Sequence, residues 1–280
     1  SVREGEALRV HGWEGRILIF SPLLAEDLPA VVAARLTPCL STVEMVARWA
    51  EEGARQRRSL RYHLEGDTGM GRAGLPAAEA AQWTPRVLES AGAGAWLEGV
   101  YTHYHSADEP DLTPTDRQRQ RFVHAVETIR AHVPDRLVIH SCNSAAAMRR
   151  GGYGDDVVRP GIFLYGGGVG AETSPQPVAS VRARLVLTKQ VPSGATVGYG
   201  ATYRAGEGER WGTLSIGYGD GLPRALAAGG GEVLIRGRRV PLIGRISMDM
   251  TTVDLTHLPE AQVGDVATLI GSGGQEEITV

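Results

Sequence analysis

The chain has 280 residues, of which 42% are hydrophobic and 22% charged, with 29 basic against 32 acidic side chains and a net charge of −3. That balance excludes a general nucleic-acid binder, which needs a basic stripe to neutralise phosphates, and no run approaches the ~18 apolar residues of a membrane span. At about 150 residues per domain, the length implies one large or two medium domains, each able to bury a core.

The basic residues comprise one lysine, Lys189, and 28 arginines. A mechanism that needs a lysine amine must use Lys189 or draw its lysine from elsewhere. Cys39 and Cys142 lie far apart in sequence, which fits a reducing cytoplasm better than a disulfide scaffold. The chain opens without an initiator Met or a signal pattern and begins in mid-pattern, so it is read as an incomplete segment.

Short apolar runs at 16–20, 35–40, 58–65, 97–104, 136–141 and 157–164 are predicted strands. Helix signals alternate with them. Ser41-Thr42-Val43-Glu44 reads as a capping box. Thr113 is placed as a cap ahead of Pro114 and Asp116, and Asn143 as the cap of a helix over Ser144–Arg150 that Gly151 ends. Strand–helix alternation predicts a parallel sheet, either doubly wound or a (β/α)8 barrel. After a Gly/Pro linker at 166–177 the pattern becomes short β-runs at 181–191, 196–199, 211–216, 232–235, 239–246, 250–255 and 265–270. These predict an all-β domain over 178–280, with 1–177 as the α/β domain.

Polar clusters stand at the C-terminal ends of the predicted barrel strands, where parallel α/β folds place active sites. They are Glu65 to Arg72, His103 to Glu109, His140 to Ser144, and Arg159 to Ile162. His103 and His105 sit two apart on one strand face and, with His140 or Cys142, present a metal-site alternative, although an isolated His-x-His is more often structural. Arg159 taken alone reads equally as a rim ion pair, and Ser144 as a helix-start residue. Gly161 and Ile162 can offer backbone amides to a phosphate.

Taken in order, several motifs resemble those of the alanine racemase family of fold-type III pyridoxal-phosphate enzymes. They are Asp67-Thr68-Gly69-Met70-Gly71-Arg72, Thr102-His103 with Ala107-Asp108-Glu109, Asn143-Ser144-Ala145-Ala146, and Val158-Arg159-Pro160-Gly161-Ile162 with Leu164-Tyr165-Gly166. The series continues through Gly198-Tyr199-Gly200 with Thr202-Tyr203, Ile216-Gly217-Tyr218-Gly219-Asp220-Gly221, and Gly244-Arg245-Ile246 with Met248-Asp249. The resemblance spans almost the whole chain and selects a partial (β/α)8 TIM barrel, about strands three to eight, followed by an all-β C-terminal domain.

The resemblance implies a cytoplasmic enzyme interconverting L- and D-alanine for cell-wall precursors with pyridoxal 5′-phosphate. Racemisation of serine or another small amino acid, and a non-catalytic cofactor-binding domain, stay open as alternatives. It places Arg72 on the cofactor's phenolic oxygen and at the substrate, and Arg159 on the pyridine nitrogen. Ser144, Gly161 and Ile162 fall on the phosphate, with His103 and His140 orienting Arg159 and the ring. Tyr199 is implied as the base that takes the α-proton from L-alanine. Met248 and Asp249 are implied at the substrate carboxylate, and Tyr218, Asp108, Arg224 and Arg245 around the entrance corridor. Because Tyr199 and Met248 complete the other subunit's site in the family, a head-to-tail homodimer follows.

Departures matter as much. The family's Schiff-base lysine lies in an early segment resembling Lys-x-x-x-Tyr-Gly, which nothing here matches, and Lys189 falls in the β domain. The chain is therefore expected to be truncated at both ends, inactive alone, and poorly soluble from unpaired sheet edges. Glu65 stands where many relatives carry a carbamylated lysine, and is expected to orient Arg72.

Overall fold

The computed structural model describes residues 1–133 and 136–279. The final residue of the expected 178–280 domain lies outside them. The chain forms two compact units: Ser1–Phe163 with Val169–Thr173, and Leu164–Gly168 with the residues from Ser174 onward.

In the first unit the order is α1 (Val2–Val10), β1 (Leu18–Ile19), α2 (Leu28–Ala33), β2 (Thr37–Leu40), α3 (Val43–Arg55), β3 (Leu60–Asp67), β4 (Leu75–Pro76), α4 (Ala80–Ala91), β5 (Ala95–Tyr101), α5 (Thr113–Arg130), β6 (Val138–His140) and α6 (Ser144–Arg150). The parallel sheet runs β1-β2-β3-β5-β6, with the two-residue β4 on β3. This is the curled half of a barrel, with crossover helices outside it. Leu60, Tyr62 and Leu64 of β3 pack outward with Trp49, Val87, Phe122 and Ile129. The period-2 pleat then turns His63 and Glu65 to the inner face.

The predicted strand at 157–164 is not a strand. Its only ladder element is an isolated parallel bridge between Asn143 and Arg159, and Ile162–Tyr165 is a 3-10 turn. The reason lies in two acidic side chains. Asp156 accepts from the Ile139 amide (2.9 Å) and Asp155 from the Ser141 amide (2.6 Å), taking ladder positions that strand carbonyls would otherwise fill. Pro160 then removes a donor.

Two predicted caps also shift. Thr42, not Ser41, caps α3 through the Met45 amide (3.1 Å), while the Ser41 hydroxyl donates to Glu65 (3.0 Å). Thr113 lies inside α5, its own amide held by the Asp111 carboxylate (2.9 Å). Asn143 caps α6 as expected, accepting from the Ala146 amide (3.1 Å), and Gly151 ends that helix in the left-handed region.

The second unit contains β7 (Val181–Gln190), β8 (Thr196–Val197), β9 (Tyr203–Arg204), β10 (Arg210–Leu214), β11 (Glu232–Ile235), β12 (Arg238–Ile243), β13 (Thr251–Asp254), β14 (Val266–Gly273) and β15 (Glu276–Ile278). The antiparallel order β11-β12-β13-β10-β7-β14-β15, with an extra β11–β14 pairing, closes six strands on themselves. Leu185, Leu214, Val233, Ile235, Val253 and Ala267 fill the interior. Closure removes most free edges, which otherwise template unwanted strand pairing. The expected architecture, part of a parallel barrel followed by an all-β domain, is the observed one.

Two adjacent residues of α5 give a direct check of the core. Phe122 is fully buried, whereas Val123 is 39% exposed. Urea denaturation of Phe122→Ala should show a loss of about 3–5 kcal/mol, and Val123→Ala a change within about 0.5 kcal/mol. Equal losses would mean that α5 does not pack on this face.

Candidate functional site

The C-terminal ends of β3 and β5 and the segment after α6 surround a cavity of about 440 Å³, lined by Phe20, Glu65, Arg72, Tyr101, His103 and Arg159 among others. Each polar group reaches it through a defined local device. Asp67 accepts from the amides of Gly69 (2.8 Å) and Gly71 (3.2 Å), folding the turn that carries Arg72. Gly71 takes a φ of 68°, which L side chains rarely adopt. Beyond β5, Gln118 donates to Thr68 Oγ1 (3.0 Å) and to the His103 carbonyl (3.1 Å), tying the His103 loop to α5.

Arg159 is the centre. Its Nη1 donates to His140 Nδ1 (2.8 Å) and to the His140 carbonyl (2.8 Å), and its Nη2 to the carbonyls of Thr102 (2.7 Å) and Ser141 (3.1 Å). The guanidinium lies over the rings of Phe20 and Tyr101, at 5.6 and 5.2 Å. No carboxylate among the described residues pairs with it, which sets aside the rim ion pair. Four of the five N–H protons are thus engaged, and Nε–H finds no acceptor among the described residues.

His140 is fully buried and stacks parallel to Tyr101 at 5.0 Å. Burial, with the charge of Arg159 and the neighbouring His63, pushes its pKa down to about 2. His103 lines the cavity, and burial with the charges of Arg159 and Arg72 brings it to about 4. Ser144 Oγ accepts from the amides of Gly161 (2.8 Å) and Phe163 (3.4 Å), leaving its own proton uncommitted among the described residues. A Cβ at Gly161 would meet nothing within 4 Å, so that backbone borders open space, and Ile162 is exposed beside it.

An uncommitted guanidinium N–H, a second cation in Arg72 and a free hydroxyl at an open turn, with aromatic walls, suit an anionic aromatic ligand. The metal alternative finds no support in placement. His105 is exposed and bonded to Ser106 (2.6 Å), while His140 is sealed between Arg159 and His63. Among the described residues no group of three His, Cys, Asp or Glu side chains could hold a metal ion. Glu65 is engaged by Ser41 and forms no ion pair with Arg72, so the expected direct orientation of Arg72 is not what this geometry contains. The shorter glutamate arm rests against β2 instead.

The second unit gathers the remaining candidates. Tyr199, Met248 and Asp249 line one open cavity of about 430 Å³. Tyr199 sits on a 3-10 turn after β8, not within a strand, and is 62% exposed. The Gly219 amide donates to the Met248 carbonyl (2.8 Å), docking the Tyr218 loop on the 247–250 segment, and Arg224 lies over the Tyr218 ring at 5.5 Å. Asp108 is exposed in the first unit and Arg245 in the second. Lys189 sits over Trp211 at 5.6 Å, a packing role in the β-barrel wall.

Comparison with known proteins decides the family. The alanine racemase N-terminal domain model matches residues 1–168, and the C-terminal domain model residues 178–280. The chain belongs to the alanine racemase family. The alanine racemase of Halothermothrix orenii is 34% identical over 280 residues, which are 99% of this chain and 73% of that protein. The crystal structure of alanine racemase from D-cycloserine-producing Streptomyces lavendulae superposes with a TM-score of 0.89 at 29% identity, covering 100% of this chain and 74% of that one. That of alanine racemase from Bartonella henselae with covalently bound pyridoxal phosphate gives 0.82 at 25% identity, covering 97% and 74%.

Residues missed by the motif reading are Phe20, Tyr101, His63 and Glu98, which surround Arg159 and His140 directly or at one remove. The alternation Arg61, His63, Glu65 on the inner face of β3 was the available signal.

The buried imidazoles set an acid limit. His103, His140 and His63 all have lowered pKa values, each chiefly through burial. Their neutral forms belong to the folded state, so the unfolded chain takes up protons first as pH falls below about 6.5. The associated stability is complete above that pH and, for His103, is lost progressively down to about 4. Urea midpoints should therefore fall between pH 6.5 and 4, with a shallower fall in His103→Gln. An unchanged slope would show that His103 binds protons alike in the folded and unfolded chain.

Proposed function

We propose that this chain is the cofactor- and substrate-binding body of an enzyme that interconverts L- and D-alanine. The observation carrying it is Arg159, a part-buried guanidinium with no carboxylate partner among the described residues and an uncommitted Nε–H beside an aromatic-walled cavity. Pyridoxal 5′-phosphate, when bound, supplies an electron-withdrawing ring that acidifies the Cα–H of an amino acid held on it. Arg159 would hold the ring nitrogen by donating a hydrogen bond, and because a guanidinium does not release its proton near neutral pH, it would leave that nitrogen unprotonated. Ser144, Gly161 and Ile162 hold the phosphate, Arg72 the phenolic oxygen, and His103 and His140 keep Arg159 in place.

Tyr199 would take the α-proton on the L-alanine face. The proton returned on the opposite face would come from the second base, in the family a lysine, a role that Lys189, packed over Trp211, does not fill. The Met248 amide, with Asp249 beside it, would receive the carboxylate, and Tyr218 would stand at the approach. The division of labour follows the two domains, cofactor binding in 1–177 and the tyrosine base in 178–280. The functional form is a cytoplasmic homodimer in which Tyr199 and Met248 of one protomer complete the partner's site. Their exposure on the β-domain surface supports this, as do the buried free thiols of Cys39 and Cys142 for a reducing compartment.

A pyridoxal-phosphate-loaded enzyme that joins these residues to the family's lysine segment, incubated with L-alanine and followed by chiral chromatography, should approach equal amounts of the two enantiomers, whereas this chain by itself, whose one lysine is Lys189, should leave L-alanine unchanged. Tyr199→Phe should lower kcat by about 10²–10⁴-fold while cofactor content and sedimentation as a dimer are retained. Higher kcat/KM for L-serine than for L-alanine would overturn the substrate assignment, and full activity in Tyr199→Phe would overturn the role of the tyrosine.

A further inference from the structure

Behind His140 the polar contacts continue along the barrel interior. His140 Nε2 lies 2.7 Å from His63 Nδ1, and His63 Nε2 lies 3.3 Å from Glu98 Oε2. The other Glu98 oxygen is met by Arg16 (2.9 Å) and Arg61 (3.4 Å) at the opposite end of the strands. His63, His140 and Glu98 are each less than 5% exposed.

Proton bookkeeping leaves this series one polarity. A guanidinium only donates, so His140 Nδ1 must accept from Arg159 through its lone pair. A neutral His140 then carries its hydrogen on Nε2 and donates to His63 Nδ1. His63 in turn carries its hydrogen on Nε2 and donates to the Glu98 carboxylate. Which nitrogen of an imidazole is protonated is set by the bond its other nitrogen makes, and here the carboxylate sets both rings. Burial disfavours the imidazolium form of both, consistent with the neutral series.

The backbone is shaped to admit these groups. The β3–β5 register skips one residue, pairing Tyr62 with Leu97 but His63 with Gly99, so Glu98 bulges toward the inner face. At Gly99 a Cβ would stand 2.5 Å from two atoms of the His63 ring and 2.7 Å from the Val138 carbonyl oxygen. Only glycine leaves room for the imidazole.

We propose that Glu98 and His63 are positioning residues, fixing His140 as the tautomer that accepts from Arg159 and thereby fixing the guanidinium against the cofactor's ring. Without Glu98, His63 is free to place its hydrogen on Nδ1, which would confront the His140 Nε2–H and release His140 to turn a donor toward Arg159. The proposal rests on Arg159 being the cofactor's partner.

Nitrogen NMR of histidine-labelled protein, recorded without substrate, tests the tautomers separately from the racemase assignment. The wild type should show His63 and His140 neutral and protonated on Nε2. His63→Leu should give a mixture of His140 tautomers, lower kcat on the order of 10- to 100-fold, and leave KM for alanine within about twofold. His63→Asn, whose amide oxygen falls near the position of the lost Nδ1 acceptor, should recover most of kcat, and Glu98→Ala should resemble His63→Leu. A wild-type His140 protonated on Nδ1, or unchanged tautomers and kcat in both His63→Leu and Glu98→Ala, would overturn the proposal. Correct tautomers with no alanine racemisation would instead leave the positioning series standing and remove the racemase assignment.

Discussion

Arg159 is a full positive charge, part-buried where no carboxylate among the described residues neutralises it, and the C-terminal end of the parallel sheet is organised around keeping it there. Withdrawing such a charge from water is costly unless most of its donors find acceptors, and here, among the described residues, all but Nε–H do. The carbonyls of Thr102 and Ser141 supply that satisfaction because they lie just past the ends of β5 and β6, where the ladder stops and its acceptors fall free. The rings of Phe20 and Tyr101 add their faces. The price of placing Arg159 is therefore met by ordinary features of a parallel sheet edge, and the charge remains available to a ligand instead of being spent on a salt bridge.

The second unit obeys a different constraint. A closed antiparallel barrel satisfies its own backbone, so the turns that leave it are free to carry exposed groups. The 217–221 and 247–250 segments are docked on each other by backbone bonds, with Tyr218 and Gly219 donating to the Ser247 and Met248 carbonyls at 3.0 and 2.8 Å. A side chain at Gly217 would overlap that pair of carbonyls, which explains a glycine inside this motif. Tyr199 on its turn and Met248 on its loop are thereby presented from a rigid scaffold, which favours precise placement of reacting groups.

Much of this was legible in the sequence because it rests on local rules. The change from helical to period-2 patterning marked the second fold, and Asn143 was readable as a cap from its place before Ala-rich Ser144–Arg150. Ordered motifs carried Arg159, His140 and Ser144 to the site. What escaped was set by tertiary neighbours. The stretch at 157–164 is apolar enough for a strand, yet Asp155 and Asp156 occupy the ladder positions it would need. Ser41 has the composition of a cap, but Glu65, distant in sequence, takes its hydroxyl. Alternation fails within β5, where Leu97 and Val100 share the outer face although three apart, and only the skipped pairing with β3 accounts for it.

That skipped pairing makes β5 a matter of parity. Leu97 and Val100, three apart, both join the outer apolar core, while Glu98 and Gly99, adjacent, both face inward. A strand with this count cannot lose or gain one residue and repair itself by sliding, because any slip would send a carboxylate into the helix layer or a leucine into the polar interior. Point changes elsewhere in the barrel can accumulate singly. Here length itself is under constraint: deleting either Glu98 or Gly99 would shift every later pairing of β5 with β3.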